Sequence, residues 1–543
     1  MAAGLARRRA AAAICENSVE GSKDSRLLAI APLFAASRTY DVFISGGTFR
    51  VDFFIRYVHF MLNINSRASQ ARLLYTLLKF ELSYRYHMRR CSSLKALLPK
   101  LGVPRLFKYN PRRESRFWKN RDYSDGIDCS PPAFIATGWY DIMLDSSLRD
   151  YSAIQQVHGT GHSRLVVGPW HHLESITNFF AFRMLLRSSI DFLREKAGLT
   201  DPAARTERLP VRIWVMGSRS SKGEWQDFSA WPPQESRDEV LFLGPRRLLS
   251  DDQAGACLAA GEEASTLRYD PRDPTPSLGG ACFNLLVPSA AGEKRQGLLE
   301  SRDDVLLFDS CLLASDVVVV GCARLKLTLR CSRPHFDVFG RLIDVHPSGD
   351  SYNVCDAIFR HHDPADRAKS ATDIQSMRSK SASLDEDSPC REASPVGIEL
   401  TFSATAKRFH SGHRIRLLVA GGAFPNSARN FGDREQTVDE TPLEVTSYSL
   451  EILHGDRAPS SLWLPVLGDD GLSGCASPKS TTGGDPIASL AQSQDVDASP
   501  SQRRFKRSAA ERRMPAVRSP SMELATSLRK IQSDATLKDF IAE

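Results

Sequence analysis

The segment at 131–172 constrains the fold more than any other. "PAFIAT" is an apolar strand and "GWYD" a turn after it. "MLDSSLRDYSAIQQV" then places Leu144, Leu148, Tyr151 and Ile154 on one helical face. "RLVV" is a second strand, closed by "GPWHH". Strand, helix and strand within about forty residues form a crossover unit, so the two strands run parallel. Their C-terminal ends share one edge of the sheet, the edge where ligands sit in open α/β sheets. Asp141 and His172 stand just past those ends. A carboxylate beside an imidazole fixes its tautomer and stabilises the imidazolium, as a catalytic base requires. The residues alone leave plainer readings open. Asp141 precedes a helix and suits a cap, and a histidine in a turn suits solvent. His171 and His172 are adjacent, so their side chains diverge on an extended backbone and do not make a metal-binding pair.

The 543 residues suffice for two or three domains with a large core. Hydrophobic content of 42% and charged content of 25% are those of a globular chain. The net charge of +7 is modest, and much of the clustered basic charge lies in "RRFKRSAAERR" at 503–513, so the body is not read as a nucleic-acid binder. No apolar stretch reaches the ~18–20 residues of a membrane span. Eleven cysteines without a CxxC pair argue for thiols in a reducing compartment, hence a cytoplasmic location, rather than a zinc site or a disulfide framework. No glycine-rich nucleotide motif is present, and no cofactor or metal is expected.

Before this segment, "RLLAIAPLFAA" at 26–36 reads as a buried strand. "FFIRYVHFMLNI", "ARLLYTLLKFEL" and "SLKALLPKL", within 48–107, have apolar positions three and four apart, as amphipathic helices do. From about 208, short β-branched runs such as "PVRIWVMG", "DVVVVGCARLKLTLRC" and "HRIRLLVAGGAF" alternate with Gly, Pro, Asp and Ser, the texture of an antiparallel β-sandwich. Residues 361–395 read as a polar inserted loop in which His361 and His362 are solvated, and 469–543 as a disordered Ser-rich and basic tail. "ASPS" and "RSPS" in that tail are candidate phosphorylation or partner-binding sequences.

"PAFIATGWYDIML", followed some thirty residues later by "RLVVGPWHH", resembles the Xaa-Pro dipeptidyl-peptidase and cocaine esterase family of serine hydrolases. "YDPRDPTPSLGG" (269–280), "SRDDVLLFDS" (301–310), "FDVFGRLIDVHPSG" (336–349) and "FHSGHRIRLLVAGGAFP" (409–425) are similar to its C-terminal jelly-roll. The likeness runs over roughly residues 1–468. It implies an α/β plus all-β chain: an incomplete α/β-hydrolase domain with a helical cap, then a jelly-roll β-sandwich. The implied boundaries are 1–47 and 121–204 for the hydrolase part, 48–120 for the cap and 205–468 for the jelly-roll. By the family's motifs Asp141 and His172 are triad members, since the GPWxH spacing selects His172 over His171. The implied substrate is a small ester or peptide, cleaved through an acyl-enzyme without nucleic acid or membrane, and a homo-oligomer suits such a fold.

One family element is missing. The nucleophilic serine of a G-x-S-x-x-G elbow belongs upstream of "LLAIAP", and no such motif occurs in the chain. Aligning "AAAAICEN" with the elbow helix puts Gly4 near the elbow's last glycine and the nucleophile near Met1. On this reading the opening "LARRRAAAAICEN", which has the look of a transit peptide, is the elbow helix of a truncated enzyme. Ser18 keeps only S-x-x-G and lies too near "LLAIAP". The alternative to a hydrolase is a non-catalytic protein that acts through its sandwich or its tail.

Overall fold

The computed structural model describes residues 27–64, 70–88, 97, 100, 101, 116–120, 122–127, 130–200, 208–218, 221–251, 264–284, 287, 290–362, 394–432, 445–454 and 459–468. Gly4, Ser18, most of "SLKALLPKL", nearly all of the polar insert and the carboxy-terminal tail lie outside them.

Among the described residues a four-stranded sheet carries the segment 131–172. Its order is β1 (Phe134–Tyr140), β2 (Arg164–His171), β3 (Val211–Val215) and β4 (Glu224–Phe228). β1, β2 and β3 are parallel, and β4 returns antiparallel. The expected strand at 26–36 lies along β1 only as two isolated parallel bridges, Ile30 to Ala133 and Leu33 to Ala136. Ile30 and Phe34 give their N–H groups to Pro132 and Ala136, but Pro32 between them has none to give.

Each face of the sheet is covered by a helix. Helix α3 (Leu144–His158) buries Leu144, Leu148, Tyr151 and Ile154 against Ile135, Leu165 and Ile213. Helix α4 (Phe179–Lys196), capped by the Asn178 side chain, packs Ala181, Leu185 and Phe192 on Phe134, Ala136 and Val166. The expected helices before the sheet are α1 (Val51–Ile64) and α2 (Gln70–Met88). They enclose an aromatic core of Phe43, Phe53, Phe54, Phe80 and Tyr84. Arg56 of α1 bonds to Asp52 at 2.8 Å and pairs with Glu81 of α2, so the two helices share a buried ion pair.

Among the described residues the sandwich is one continuous ladder of thirteen strands. They are β5 (Ser236–Gly244), β6 (Leu248–Ser250), β7 (Ala264–Tyr269), β8 (Val305–Asp309), β9 (Val317–Gly321), β10 (Arg324–Cys331), β11 (Phe336–Val345), β12 (Ser351–His361), β13 (Val396–Thr401), β14 (Thr405–Phe409), β15 (Arg414–Ala420), β16 (Tyr448–Leu453) and β17 (Ser461–Leu467). The path runs β12–β11–β15–β8–β6–β5–β17–β10–β16–β7, with β13 on β10 and β9 joining β14 to β17. β10 alternates half-buried and buried residues along "RLKLTLRC", the signature of a strand with one face in the core. β11 is buried throughout, and its charged residues are paired: Arg341 with Asp356, Asp337 with Arg360 and Asp344 with His413.

Two expectations change here. The 205 boundary puts "PVRIWV" on the sandwich side, yet Val211–Val215 extends the parallel sheet through Leu165 opposite Val211. A β-branched run has the same texture in either sheet, so only pairing places it. His361 is not a solvated loop residue. It closes β12 with its ring stacked 4.6 Å from that of Phe336, and the polar insert begins after it. Among the described residues no helix is long and apolar enough to cross a membrane.

Candidate active site

Strand β1 delivers Asp141, and β2 delivers His171 and then His172, to one edge of the sheet. Register decides which histidine faces the carboxylate. Gly138 stands opposite Gly168, but Tyr140 stands opposite His171, so β2 carries one extra residue there. This is a β-bulge at "GPW", where Pro169 has no N–H for the ladder. Without it Asp141 would align with His171; with it Asp141 aligns with His172. The strands touch closely at the bulge, since a Cβ on Gly138 would sit 2.1 Å from the Trp170 carbonyl.

His172 Nδ1 lies 2.9 Å from Asp141 Oδ1. The Asp141 side chain is 0% exposed and that of His172 22%, so the carboxylate is sealed while the ring reaches the surface of the site. Two further donors hold Asp141. Thr137, fully buried in β1, donates its hydroxyl to Oδ2 at 3.1 Å, and the Met143 N–H donates to Oδ1 at 3.0 Å. Asp141 does not cap α3, whose N-cap is Met143 without a side-chain bond; its carboxylate takes an N–H of the preceding turn and faces the imidazole. His171 turns elsewhere, into a cleft of about 370 Å3 shared with Glu174, Trp214 and Lys294. Its Nδ1 is buried without a hydrogen-bond partner, and burial pushes its pKa down to about 4.

The His172 ring is framed by aromatic residues. Phe34 meets it edge-on at 6.2 Å and Phe283 lies 5.9 Å away. Phe34 occupies φ 51, a left-handed conformation unusual for a bulky side chain. Phe283 continues the aromatic surface to Phe53 and Tyr57 of α1, at 5.7 and 6.5 Å. Arg50, just ahead of α1, reaches the Ile142 carbonyl at 3.5 Å. Burial holds its guanidinium below the ordinary arginine value, while Asp145, Asp41, Asp141 and Asp356 draw it back up. Sequence reasoning missed Thr137, Phe34, Arg50 and Phe283. Thr137 had a legible signal, since it lies four residues before Asp141 on the strand that leads into it. The others come from distant segments.

The matches to known proteins follow the same outline. Residues 11–174 match the X-Pro dipeptidyl-peptidase (S15 family), and residues 204–462 match the X-Pro dipeptidyl-peptidase C-terminal non-catalytic domain. The chain belongs to the Xaa-Pro dipeptidyl-peptidase and cocaine esterase family. It is 30% identical over 353 residues to the cocaine esterase of Rhodococcus sp. (strain MB1 Bresler), a match that covers 62% of this chain and 56% of that protein. The chain thus spans little more than half the length of this curated relative. In fold it is similar to an alpha-amino acid ester hydrolase, with TM-score 0.62 and 18% identity over 80% of this chain and 72% of the other. It is also similar to an aminopeptidase from a marine sediment Thaumarchaeota archaeon, with TM-score 0.59 and 16% identity over 81% and 72%. The family joins an α/β-hydrolase to a jelly-roll sandwich, and both parts are present in the described residues.

Proposed function

We propose that this chain carries the acid and base of a serine hydrolase that cleaves ester or peptide bonds through an acyl-enzyme. One observation carries the reading: the sealed Asp141 carboxylate 2.9 Å from His172 Nδ1, at the ends of adjacent parallel strands. With Nδ1–H committed to Asp141, His172 Nε2 takes the nucleophile's proton and later returns it to the leaving group. Asp141 orients the ring and stabilises the imidazolium. Phe34 and Phe283 give the site an apolar wall, which favours an ester or amide with an aromatic or branched apolar group over a charged one. A second reading, a non-catalytic protein acting through its sandwich or tail, is favoured by one observation. The nucleophile is assigned to no residue here, because no G-x-S-x-x-G occurs in the sequence.

The test joins genetics and kinetics. The codons upstream of Met1 are read, and the encoded product is offered aryl esters and X-Pro peptides. An in-frame G-x-S-x-x-G, with hydrolysis that falls about 10,000-fold in Asp141→Asn, supports the hydrolase. A stop codon upstream, no labelling of the chain by a fluorophosphonate and no rate above buffer overturn it in favour of the second reading.

A further inference from the structure

A second group of chemically active side chains lies in the sandwich, away from the Asp141–His172 pair. Asp344 sits near the end of β11, His346 in the turn that follows, and His413 in the turn before β15. Asp344 is 0% exposed and His413 4%. His413 Nδ1 is 2.7 Å from Asp344 Oδ1, and His346 Nε2 is 3.8 Å from Asp344 Oδ2. The two imidazole centroids are 4.5 Å apart. One ligand atom from each residue falls within 4.8 Å of the others. Asp344 Oδ2 is a buried acceptor that receives no aligned hydrogen bond.

We propose that Asp344, His346 and His413 form a binding site for a divalent metal ion of the zinc class. Two imidazoles and one carboxylate suit zinc and its borderline neighbours, whereas calcium and magnesium call for oxygen ligands. A separation of 2.7 Å is the length of an N–H···O bond, and a tetrahedral ion with ligands at about 2.0–2.1 Å sets them roughly 3.3 Å apart, so the pair opens by about half an ångström to admit a metal. The metal takes the place of the proton between His413 Nδ1 and Asp344 Oδ1, and closing the 3.8 Å gap brings in His346. Three protein ligands leave a position for water.

Lys407 on β14 is the rival cation, with Nζ 3.0 Å from Asp344 Oδ2. It has other partners. Nζ donates to the Gly217 carbonyl at 2.7 Å and lies 3.5 Å from Glu293 Oε1, so it stays paired if a metal takes over Asp344. Lys407 also stands opposite Met216 in a parallel bridge, just past β3. The site therefore lies beside the seam between the parallel sheet and the sandwich, and an ion there ties two sandwich turns together next to that seam.

The full chain, stripped with a chelator, is titrated with Zn2+ and with Co2+. The expected result is one ion per chain, a visible Co2+ absorption band and a higher melting temperature. Loss of an outer-shell partner alone weakens metal sites about 10–100-fold, so His346→Ala should lose at least that much and the band as well. His346 is half-buried at the rim. If the alanine variant fails to fold, His346→Gln keeps the volume and serves instead. His158→Ala, which breaks the stacked His158–His162 pair elsewhere, should bind as the unmodified chain does. No uptake by the unmodified chain would mean that the Lys407 ammonium is the resident cation and would overturn the proposal. Binding that survives at His346 or is lost with His158→Ala would overturn it too.

Discussion

Thr137 and Asp141 show how much one buried hydroxyl decides. Thr137→Val keeps the shape of the side chain but removes the donor to Asp141 Oδ2. A buried acceptor left without a donor costs roughly 1–3 kcal/mol, so urea unfolding should show a loss in that range. An unchanged midpoint would mean that Asp141 finds another donor. Two buried histidines set a pH dependence. Burial pushes His59 and His171 down to about 4, so the folded chain leaves them neutral where the unfolded chain, near 6.5, takes up protons. Stability is therefore lost as pH falls from about 6.5 towards 4, by up to a few kcal/mol for each group. His171→Gln should flatten that fall when its stability curve is compared with that of the unmodified chain. Parallel curves would show that His171 ionises alike in both states.

At the scale of elements, the contact between β1 and β2 holds the site together. Gly138→Ala would drive a methyl group to 2.1 Å from the Trp170 carbonyl, so the two strands must part just before Asp141 and His172. The change should cost about 3 kcal/mol or more, as disruptive core substitutions do. Gly159 after α3 makes the comparison. It has φ 80 but open space around it, so Gly159→Ala carries only backbone strain, on the order of 1 kcal/mol. Thermal melts of the two variants should separate clearly, and equal melting temperatures would count against the close approach. Helix α4 depends on Phe192, fully buried beside Phe134, and Phe192→Ala should cost about 3–5 kcal/mol.

Across the whole described part, the parallel sheet and the sandwich share a core. Val320 of β9 with Ala404 and Ala406 of the β14 region joins the cluster built on Ile135, Leu165 and Ile213. The Met216 N–H bonds to the Ala406 carbonyl at 2.8 Å, and the Arg408 N–H bonds to the Met216 carbonyl at 2.9 Å. Phe283 and Ala428 likewise enter the core of α1 and α2. A large apolar interface couples the parts that it joins. Calorimetry of the full chain should thus show the two sheets melting in one transition. Two well-separated transitions would mean that the shared core contributes little.

Local pattern was enough for the elements and for the edge where Asp141 and His172 emerge. The apolar spacing of Leu144, Leu148, Tyr151 and Ile154, the alternation in β10 and the short crossover each depend on neighbours in sequence, and these are legible in one dimension. The family's GPWxH spacing pointed to His172, but the reason for it is a bulge, and a bulge exists only between two paired strands. The same limit hid the rest. "PVRIWV" has no mark that assigns it to one sheet or the other, and Phe34, Arg50 and Phe283 reach the site from distant segments. Asp344 and His413 are 69 residues apart in sequence and 2.7 Å apart in space. Periodicity records which face of an element is buried. Which faces meet is decided by strand register and by the packing of the two sheets, and only the folded chain fixes those.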